Sequence, residues 1–164
     1  MLYGDVFKAL NKAKVKYVVA GGVAVVLHGF ERLTKDLDLI VLLQEDNLDK
    51  FFETLIRIGY TPKVPVTKKQ FIDKKQRKKW QKEKGMVVFS FYQNNPPHKI
   101  VDMFIEEPIS FDEIYKKHVR VIIEDIEIPL ISIQHLKELK QKAGRPHDLF
   151  DIVQLDTINK FQDL

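Results

Sequence analysis

The chain has 164 residues, of which 45% are apolar and 30% are charged, and this length and composition predict one globular domain over residues 1–164. It contains no cysteine, which excludes disulfide scaffolds, thiol catalysis and iron–sulfur clusters. The formal net charge is +4, but residues 63–84 hold ten basic residues against Asp73 and Glu83, so this basic insert carries +8 and the rest of the chain −4.

The first third of the chain alternates predicted helices and strands. Apolar residues recur at helical spacing in three segments, and two short runs rich in valine, leucine and isoleucine indicate strands. In chain order, the predicted elements are a helix over 2–13, a strand over 17–20, a helix over 23–27, a strand over 37–42 and a helix over 46–58.

The rest of the chain is richer in strands and ends in two helices. Prolines make residues 61–66 extended, the basic stretch follows without a clear pattern and ends at Gly85, and a turn is predicted at 94–97. Strands are predicted over 86–92, 99–105, 119–123 and 126–128, and helices over 111–118, 132–143 and 148–155. This order predicts a mixed α/β or α+β fold.

No targeting signal is evident. Residues 1–10 lack a basic and apolar leader. The longest apolar run, residues 15–27, is interrupted by Lys16 and two glycines and is too short to span a bilayer. We therefore expect a soluble, cytoplasmic protein with no membrane contact.

Residues 18–42 contain the pattern with the clearest chemistry. Asp36 and Asp38 stand two apart in a predicted strand, so their side chains emerge on one face. Paired carboxylates of this kind suit Mg²⁺ or Mn²⁺, which bind oxygen ligands together with substrate phosphates. Gly21 and Gly22 end a strand and open a helix, where the backbone can approach a phosphate closely. A Gly-Gly turn alone is usually only a turn, and a lone Asp-x-Asp is often a solvated strand edge, but the combination is more specific.

These motifs resemble a known family. Gly21-Gly22 followed by Asp36-Leu37-Asp38 resembles the signature of the DNA polymerase β-like nucleotidyltransferase superfamily. The neighbouring His28-Gly29, Arg32 and Thr34 resemble its small bacterial branch, the AbiEii/AbiGii toxin-like and minimal nucleotidyltransferases. The C-terminal LKELKQKAGRPHDLFDIVQL is similar to the closing segment of that branch, through Lys140, Arg145, Asp148 and Asp151.

The resemblance implies a fold and an activity. The fold is a central mixed β-sheet flanked by helices, with further helices at the C-terminus. The activity is transfer of a nucleoside monophosphate from an NTP, such as ATP, to an acceptor hydroxyl with release of pyrophosphate, and it depends on Mg²⁺ or Mn²⁺. The acceptor is an RNA end, a protein or a small molecule, and toxin, resistance enzyme and housekeeping modifier remain open. Toxin–antitoxin membership would add an antitoxin partner.

The resemblance also implies site residues. A third carboxylate is expected on a neighbouring strand, and Asp102 in the apolar run 100–104 fits that place, the alternative being a strand-edge aspartate. Asp36, Asp38 and Asp102 are then both catalytic and metal-binding. The expected nucleotide-binding residues are Gly21, Gly22, Arg32, Thr34 and Lys140, with Lys35 as a second candidate for positive charge.

Some of these residues have simpler interpretations. Lys140 is equally well explained as a solvated surface lysine on the predicted helix 132–143. Asp148 and Asp151 are expected to cap the helix or pair locally with Arg145. The five histidines are dispersed without ligand spacing, and His28 is expected to be no more than a polar helix end.

The basic insert suggests a second function. Phe71, Ile72 and Trp80 stand among its cations, and cations with interleaved aromatic residues are typical of RNA contact through phosphates and stacked bases. The insert would then hold an RNA or tRNA acceptor. The alternative is a solvated, mobile insert that only aids solubility. A rival hypothesis for the whole chain is a non-catalytic module that keeps the nucleotidyltransferase fold and uses this insert to hold nucleic acid or a partner protein.

Overall fold

Seven strands form one mixed sheet in the computed structural model, which describes residues 1–162. The strands are β1 (Tyr17–Ala20), β2 (Asp36–Val41), β3 (Thr61–Pro62), β4 (Val88–Gln93), β5 (Lys99–Phe104), β6 (Val119–Ile123) and β7 (Ile126–Leu130). Their order across the sheet is β3-β4-β5-β2-β1-β7-β6. The pairs β2–β5 and β1–β7 are parallel and the other four pairs are antiparallel.

Eight helices accompany the sheet in the described residues. They are α1 (Gly4–Lys12), α2 (Gly21–Leu27), α3 (Glu45–Arg57), α4 (Lys68–Ile72), α5 (Lys74–Lys84), α6 (Phe111–Lys117), α7 (Ile133–Ala143) and α8 (Pro146–Gln162). The mixed α+β architecture, with a central mixed sheet, flanking helices and two closing helices, is therefore confirmed. None of the described helices is both long enough and apolar enough to cross a membrane.

Alternation along the central strands separates the two faces of the sheet. In β2, Leu37 and Leu39 are fully buried, while Asp36 and Asp38 point to the other face. In β4, Phe89 and Phe91 are buried on the same side as the leucines, and Ser90 between them points to the side of the aspartates. One face therefore carries aromatic and aliphatic core, and the other carries the polar residues.

Most of the basic insert is folded into two helices, so the alternative of a segment without fixed structure is wrong, although most of its lysines are exposed to solvent. Residues 68–84 form α4 and α5, which begin with side-chain caps at Thr67 and Asp73. Phe71 is fully buried against Phe51, Phe89 and Phe91, and Trp80 packs on Phe89. Because Phe89 and Phe91 belong to the core face, α4 and α5 cover the sheet opposite the aspartates.

Candidate active site

Three carboxylates lie on one face of two neighbouring parallel strands. Asp38 of β2 and Asp102 of β5 are directly opposite each other, and Asp36 is opposite Ile100, one step along the same face. All three are partly buried. The third carboxylate predicted on a neighbouring strand is thus next to the first two, because β5 pairs with β2 in parallel and in this register.

Burial and repulsion between neighbouring charges raise the pKa of Asp38 and of Asp102. The pKa of Asp38 rises from 3.8 to about 7, first because its charge is desolvated and then because Asp102 and Asp36 are near, while Lys140 and Arg145 oppose the rise. Burial also raises the pKa of Asp102, and the charge of Asp36 adds to the effect. Ionisation of these partly buried carboxylates therefore costs free energy, and a bound cation would lower that cost.

Asp102 is held by a side chain on the strand beyond it. Ser90 of β4 lies directly opposite Asp102, and its hydroxyl donates a 2.5 Å hydrogen bond to Oδ1. The carbonyl of Ser90 accepts a 2.9 Å hydrogen bond from the amide of Lys63, and the charge of Lys63 lowers the pKa of Asp102. Sequence reasoning missed Ser90, although its place in an alternating strand was the available signal.

The two glycines at the start of α2 pack against side chains of the site. Gly21 has φ +64°, and a Cβ there would lie 2.0 Å from Asp38 Oδ2. A Cβ on Gly22 would lie 2.6 Å from Thr34 Oγ1 and 3.6 Å from Arg32 Cζ. Any larger residue at either position would displace the carboxylate or the threonine. The structure thus brings Gly21, Gly22, Arg32 and Thr34 together beside Asp38.

Helices α7 and α8 add a buried charge network. Lys140 is only 6% exposed, and its Nζ lies 2.8 Å from Asp151 Oδ2 and 3.6 Å from Asp148 Oδ1. Asp151 also pairs with Arg32 Nη1, and Asp148 accepts a 2.7 Å hydrogen bond from Arg145 Nε. The alternative of a solvated Lys140 is wrong, and so is local pairing of Asp151, whose partners come from other elements. The local pair of Asp148 with Arg145 is confirmed.

Comparison with known families identifies the family of this chain. The model of the nucleotidyl transferase AbiEii toxin family, from type IV toxin–antitoxin systems, matches residues 7–164. The chain belongs to the AbiEii family. It is therefore a nucleotidyltransferase by descent, and the matched region includes every carboxylate described above.

Solved structures share the fold of this AbiEii-family chain at low sequence identity. The lincosamide antibiotic adenylyltransferase LnuA, bound to lincomycin, is 19% identical with a TM-score of 0.60, and the match covers 93% of each chain. An antigenic nucleotidyltransferase-like protein from Paracoccidioides brasiliensis is 15% identical with a TM-score of 0.60, over 92% of this chain and 71% of that chain.

A third match is ANT(2")-Ia in complex with adenylyl-2"-tobramycin. It is 11% identical with a TM-score of 0.59, over 94% of this chain and 84% of that chain. At such identities these likenesses show the fold alone. Comparison with curated protein sequences gives no significant match.

The site of this AbiEii-family chain holds three carboxylates, but they are not drawn together as a metal site in the part of the chain that the structure describes. Within residues 1–162, no three His, Cys, Asp or Glu side chains are grouped closely enough to hold a metal ion. The donor set nevertheless fits a hard divalent cation, because Asp36, Asp38 and Asp102 offer only oxygen atoms on one strand face. The pKa values of Asp38 and Asp102 are raised first by burial and then by neighbouring carboxylates, and a bound cation would oppose both effects.

Two other residues considered from the sequence make hydrogen bonds to distant parts of the chain, so the expectation that His28 is no more than a polar helix end is wrong. His28 ends α2, and its Nε2 donates a 2.7 Å hydrogen bond to the carbonyl of Ile131, while burial lowers its pKa. Lys35 is exposed, and its carbonyl accepts a 2.5 Å hydrogen bond from the hydroxyl of Tyr3, which also lies 3.1 Å from the carbonyl of Ile100. Tyr3 thus joins the beginnings of β2 and β5, the strands that carry the aspartates.

The basic insert of this chain meets the site at one end only. Lys63, just after β3, is the cation whose charge reaches Asp102, whereas α5 lies on the opposite face of the sheet. Stacking of bases on Phe71 or Trp80 is excluded because both rings are buried. The exposed lysines that remain on α5 are Lys74, Lys75, Lys78, Lys79, Lys82 and Lys84.

Proposed function

We propose that this chain transfers a nucleoside monophosphate from an NTP to an acceptor hydroxyl, releases pyrophosphate, and depends on Mg²⁺ or Mn²⁺. The observation that carries the proposal is the direct opposition of Asp38 and Asp102 on β2 and β5, with Asp36 on the same face. Three partly buried carboxylates in this position destabilise one another, and a metal-bound triphosphate explains why the chain keeps them.

The metal ligands in this proposal are Asp36, Asp38 and Asp102. A divalent cation bound there would neutralise phosphate charge and polarise the α-phosphoryl group. Asp102 faces the acceptor hydroxyl and takes up its proton at Oδ2, because Oδ1 is engaged by Ser90. The hydroxyl oxygen then bonds to the α-phosphorus as the bond to pyrophosphate breaks.

The nucleotide is held by residues around α2 and α7. Gly21 and Gly22 let the backbone approach the phosphates, because no side chain fits between them and Asp38 or Thr34. Lys140 and Arg145 supply positive charge, since both act electrostatically on Asp38. Arg32 and Thr34 complete this side of the site, and Arg32 is fixed by its ion pair with Asp151.

Transfer from labelled NTPs tests the proposal. Each α-³²P-labelled NTP is incubated with Mg²⁺ and with candidate acceptors, including total tRNA, and the labelled product is identified. We expect Asp38→Asn and Asp102→Asn to abolish labelling, whereas Asp156→Asn, on the exposed end of an ion pair with Lys137, leaves it intact. Labelling that persists undiminished in both aspartate variants of the site would refute the assignment.

For the acceptor, we propose an RNA end held by the basic insert. The exposed lysines of α5 and Lys63, just after β3, supply the positive charge, and the buried rings of Phe71 in α4 and Trp80 in α5 fix these two helices on the sheet. The body of the RNA would lie along the outside of α5 and its end would cross the edge of the sheet near Lys63. Filter binding with tRNA across a salt series tests this proposal: affinity should fall as salt rises, and absence of binding at low salt would contradict it.

We further propose a toxin role with a neutralising antitoxin partner. The proposal is supported by membership of a family named for type IV toxins. Induced expression in a bacterial host should arrest growth, and the Asp38→Asn variant at equal protein level should not. Equal arrest by both proteins would show that any toxicity is unrelated to nucleotidyl transfer.

A further inference from the structure

The strand β6 leaves one edge of the sheet open. It is the last strand in the order, and β7 is its one neighbour among the described residues. The hairpin to β7 has a two-residue turn, Glu124 and Asp125, both with positive φ, so Ile123 and Ile126 close it as a hydrogen-bonded pair. Along an antiparallel strand, the N–H and C=O groups of successive residues point alternately toward and away from the partner strand. Because those of Ile123 point toward β7, those of Ile122 and Arg120 point away from it.

This edge has few of the features that usually protect a sheet, the exposed Arg120 being the one charged residue of β6. The opposite edge strand, β3, has only two residues, and one of them is Pro62, which cannot donate a ladder hydrogen bond. In contrast, β6 has five residues with the sequence VRVII and no proline. Ile122 is 71% exposed and Val119 is 43% exposed. A free strand of β-branched residues with a single charge is a template for pairing with another strand.

We propose that β6 pairs antiparallel with β6 of a second copy of this chain, about a two-fold axis that passes through Val121. In this register, Val121 faces its own twin as a pair without hydrogen bonds, and Arg120 faces Ile122 of the partner copy on either side. The outward backbone groups of Arg120 and Ile122 then form four hydrogen bonds across the interface. Such a contact is isologous, as expected for a closed dimer.

The sequence of β6 favours a second copy over an unrelated strand. Pairing about Val121 uses all five residues and places no charge opposite a like charge, because each Arg120 meets an isoleucine. Pairing centred on Arg120 would set two guanidinium groups directly opposite each other, which destabilises a strand pair. The side chains that meet across the axis, Val121 with Val121 and Val119 with Ile123, are all β-branched and suit cross-strand packing.

Sedimentation equilibrium of the full chain over a concentration series tests the proposal with two matched variants. Ile122→Lys places a lysine opposite Arg120 of the partner copy twice, so the dimer dissociation constant should rise roughly tenfold or more. Within one copy the new lysine faces Glu127, so the hairpin itself is not weakened. Val87→Lys, at a valine that is 66% exposed outside β6, should leave the dissociation constant unchanged.

Cysteine cross-linking tests the register, because the natural chain contains no cysteine. Val121→Cys puts two thiols across the axis in a pair without hydrogen bonds, with Cα atoms about 4.5 Å apart, and mild oxidation should join them into a covalent dimer. Ile122→Cys puts its two thiols on diagonal positions beyond the span of a disulfide and should remain largely uncross-linked. Circular dichroism confirms that each variant is folded.

Each result bears on the proposal. Dimerisation that is weakened by Ile122→Lys but not by Val87→Lys, with selective cross-linking through Cys at 121, supports it. The proposal is overturned if the chain stays monomeric at every concentration. This holds also if β6 of such a monomer pairs with an added extended peptide. A dimer that survives Ile122→Lys unchanged, or cross-links better through position 122, overturns the β6 interface or its register.

Discussion

The carboxylate of Asp38 occupies the space that a side chain on Gly21 would need. A Cβ at position 21 would lie 2.0 Å from Asp38 Oδ2 and 2.7 Å from its Cγ, distances at which one of the two groups must move. The start of α2 and the middle of β2 are thus fitted to each other at the position of the proposed metal ligand. This contact explains why a glycine is needed there beyond its backbone conformation.

We predict that Gly21→Ala abolishes nucleotidyl transfer by displacing Asp38. The matched control is Gly85→Ala, because Gly85 has nearly the same backbone angle, φ +60°, and nothing lies within 4 Å of its Cβ position. Both variants should lose about 1–2 kcal/mol of folding free energy to the left-handed backbone. Only Gly21→Ala should also lose activity. Equal activity in the two variants, measured with labelled NTP, would contradict the contact.

Ser90 is predicted to act as a positioning residue for Asp102. Removal of its hydroxyl in Ser90→Ala leaves Oδ1 of Asp102 without the 2.5 Å hydrogen bond, and hydrogen bonds to charged groups contribute roughly 1.5–3 kcal/mol. We expect kcat to fall about tenfold or more while KM for the NTP changes little, since Asp102 serves the acceptor side. Ser90→Thr keeps the hydroxyl and should restore kcat. A fall in Ser90→Thr as large as in Ser90→Ala would point to packing instead.

The stability of the metal-free protein should decrease as pH rises. Because the pKa of Asp38 is about 7 in the folded state and 3.8 otherwise, its protonated form stabilises the fold below pH 4, and this contribution is lost as pH rises towards 7. The loss is at most about 4 kcal/mol. Urea unfolding at pH 5 and pH 8, in the presence of EDTA, measures the part of this loss that falls above pH 5, about 3 kcal/mol.

The Asp38→Asn variant isolates that effect from other titrating groups. Its free energy of unfolding should change much less between pH 5 and pH 8 than that of the natural chain. Mg²⁺ added with a non-hydrolysable NTP should also reduce the loss in the natural chain, since a bound cation removes the repulsion. The same pH dependence in the natural chain and in Asp38→Asn would show that the carboxylate is not the cause.

Lys140 should contribute far more to stability than the neighbouring Lys137. Lys140→Met leaves Asp148 and Asp151, whose side chains are 2% and 3% exposed, without one of their cations, and loss of one partner of a buried network costs about 3 kcal/mol. Lys137→Met breaks a more exposed pair between the same two helices, with Asp156, and should cost at most about 1 kcal/mol. Similar losses in thermal and urea unfolding would mean that the network is solvated.

The sequence alone predicts a structural feature only where the residues that form it lie close together in the chain. Asp36 and Asp38 stand out in the sequence because their side chains share one face of a largely apolar strand, whereas Asp102 is expected only because the family resemblance implies a third carboxylate on a neighbouring strand. The pairing of Asp151 with Arg32 was not predictable, because the two residues are 119 positions apart and no spacing rule joins them. The helix α5 was also not predictable, because most of its residues are lysines and only two residues, Arg77 and Trp80, are buried. These two are three residues apart and therefore lie on one face of the helix.

The buried side of α5 yields a final prediction. Trp80 is 7% exposed and packs on Phe89, so Trp80→Ala should lower the free energy of unfolding by about 3–5 kcal/mol. Replacing the exposed Lys78 and Lys82 by glutamine removes two charges from the outer side of the same helix and should change stability by less than about 0.5 kcal/mol each, while it weakens binding of tRNA at low salt. Urea unfolding and filter binding are measured on the natural chain, on Trp80→Ala and on the double glutamine variant. Together they separate the buried side of α5 from its exposed side. If Trp80→Ala were as stable as the natural chain, α5 would not be anchored on the sheet, and its lysines would not form a fixed surface for a nucleic acid.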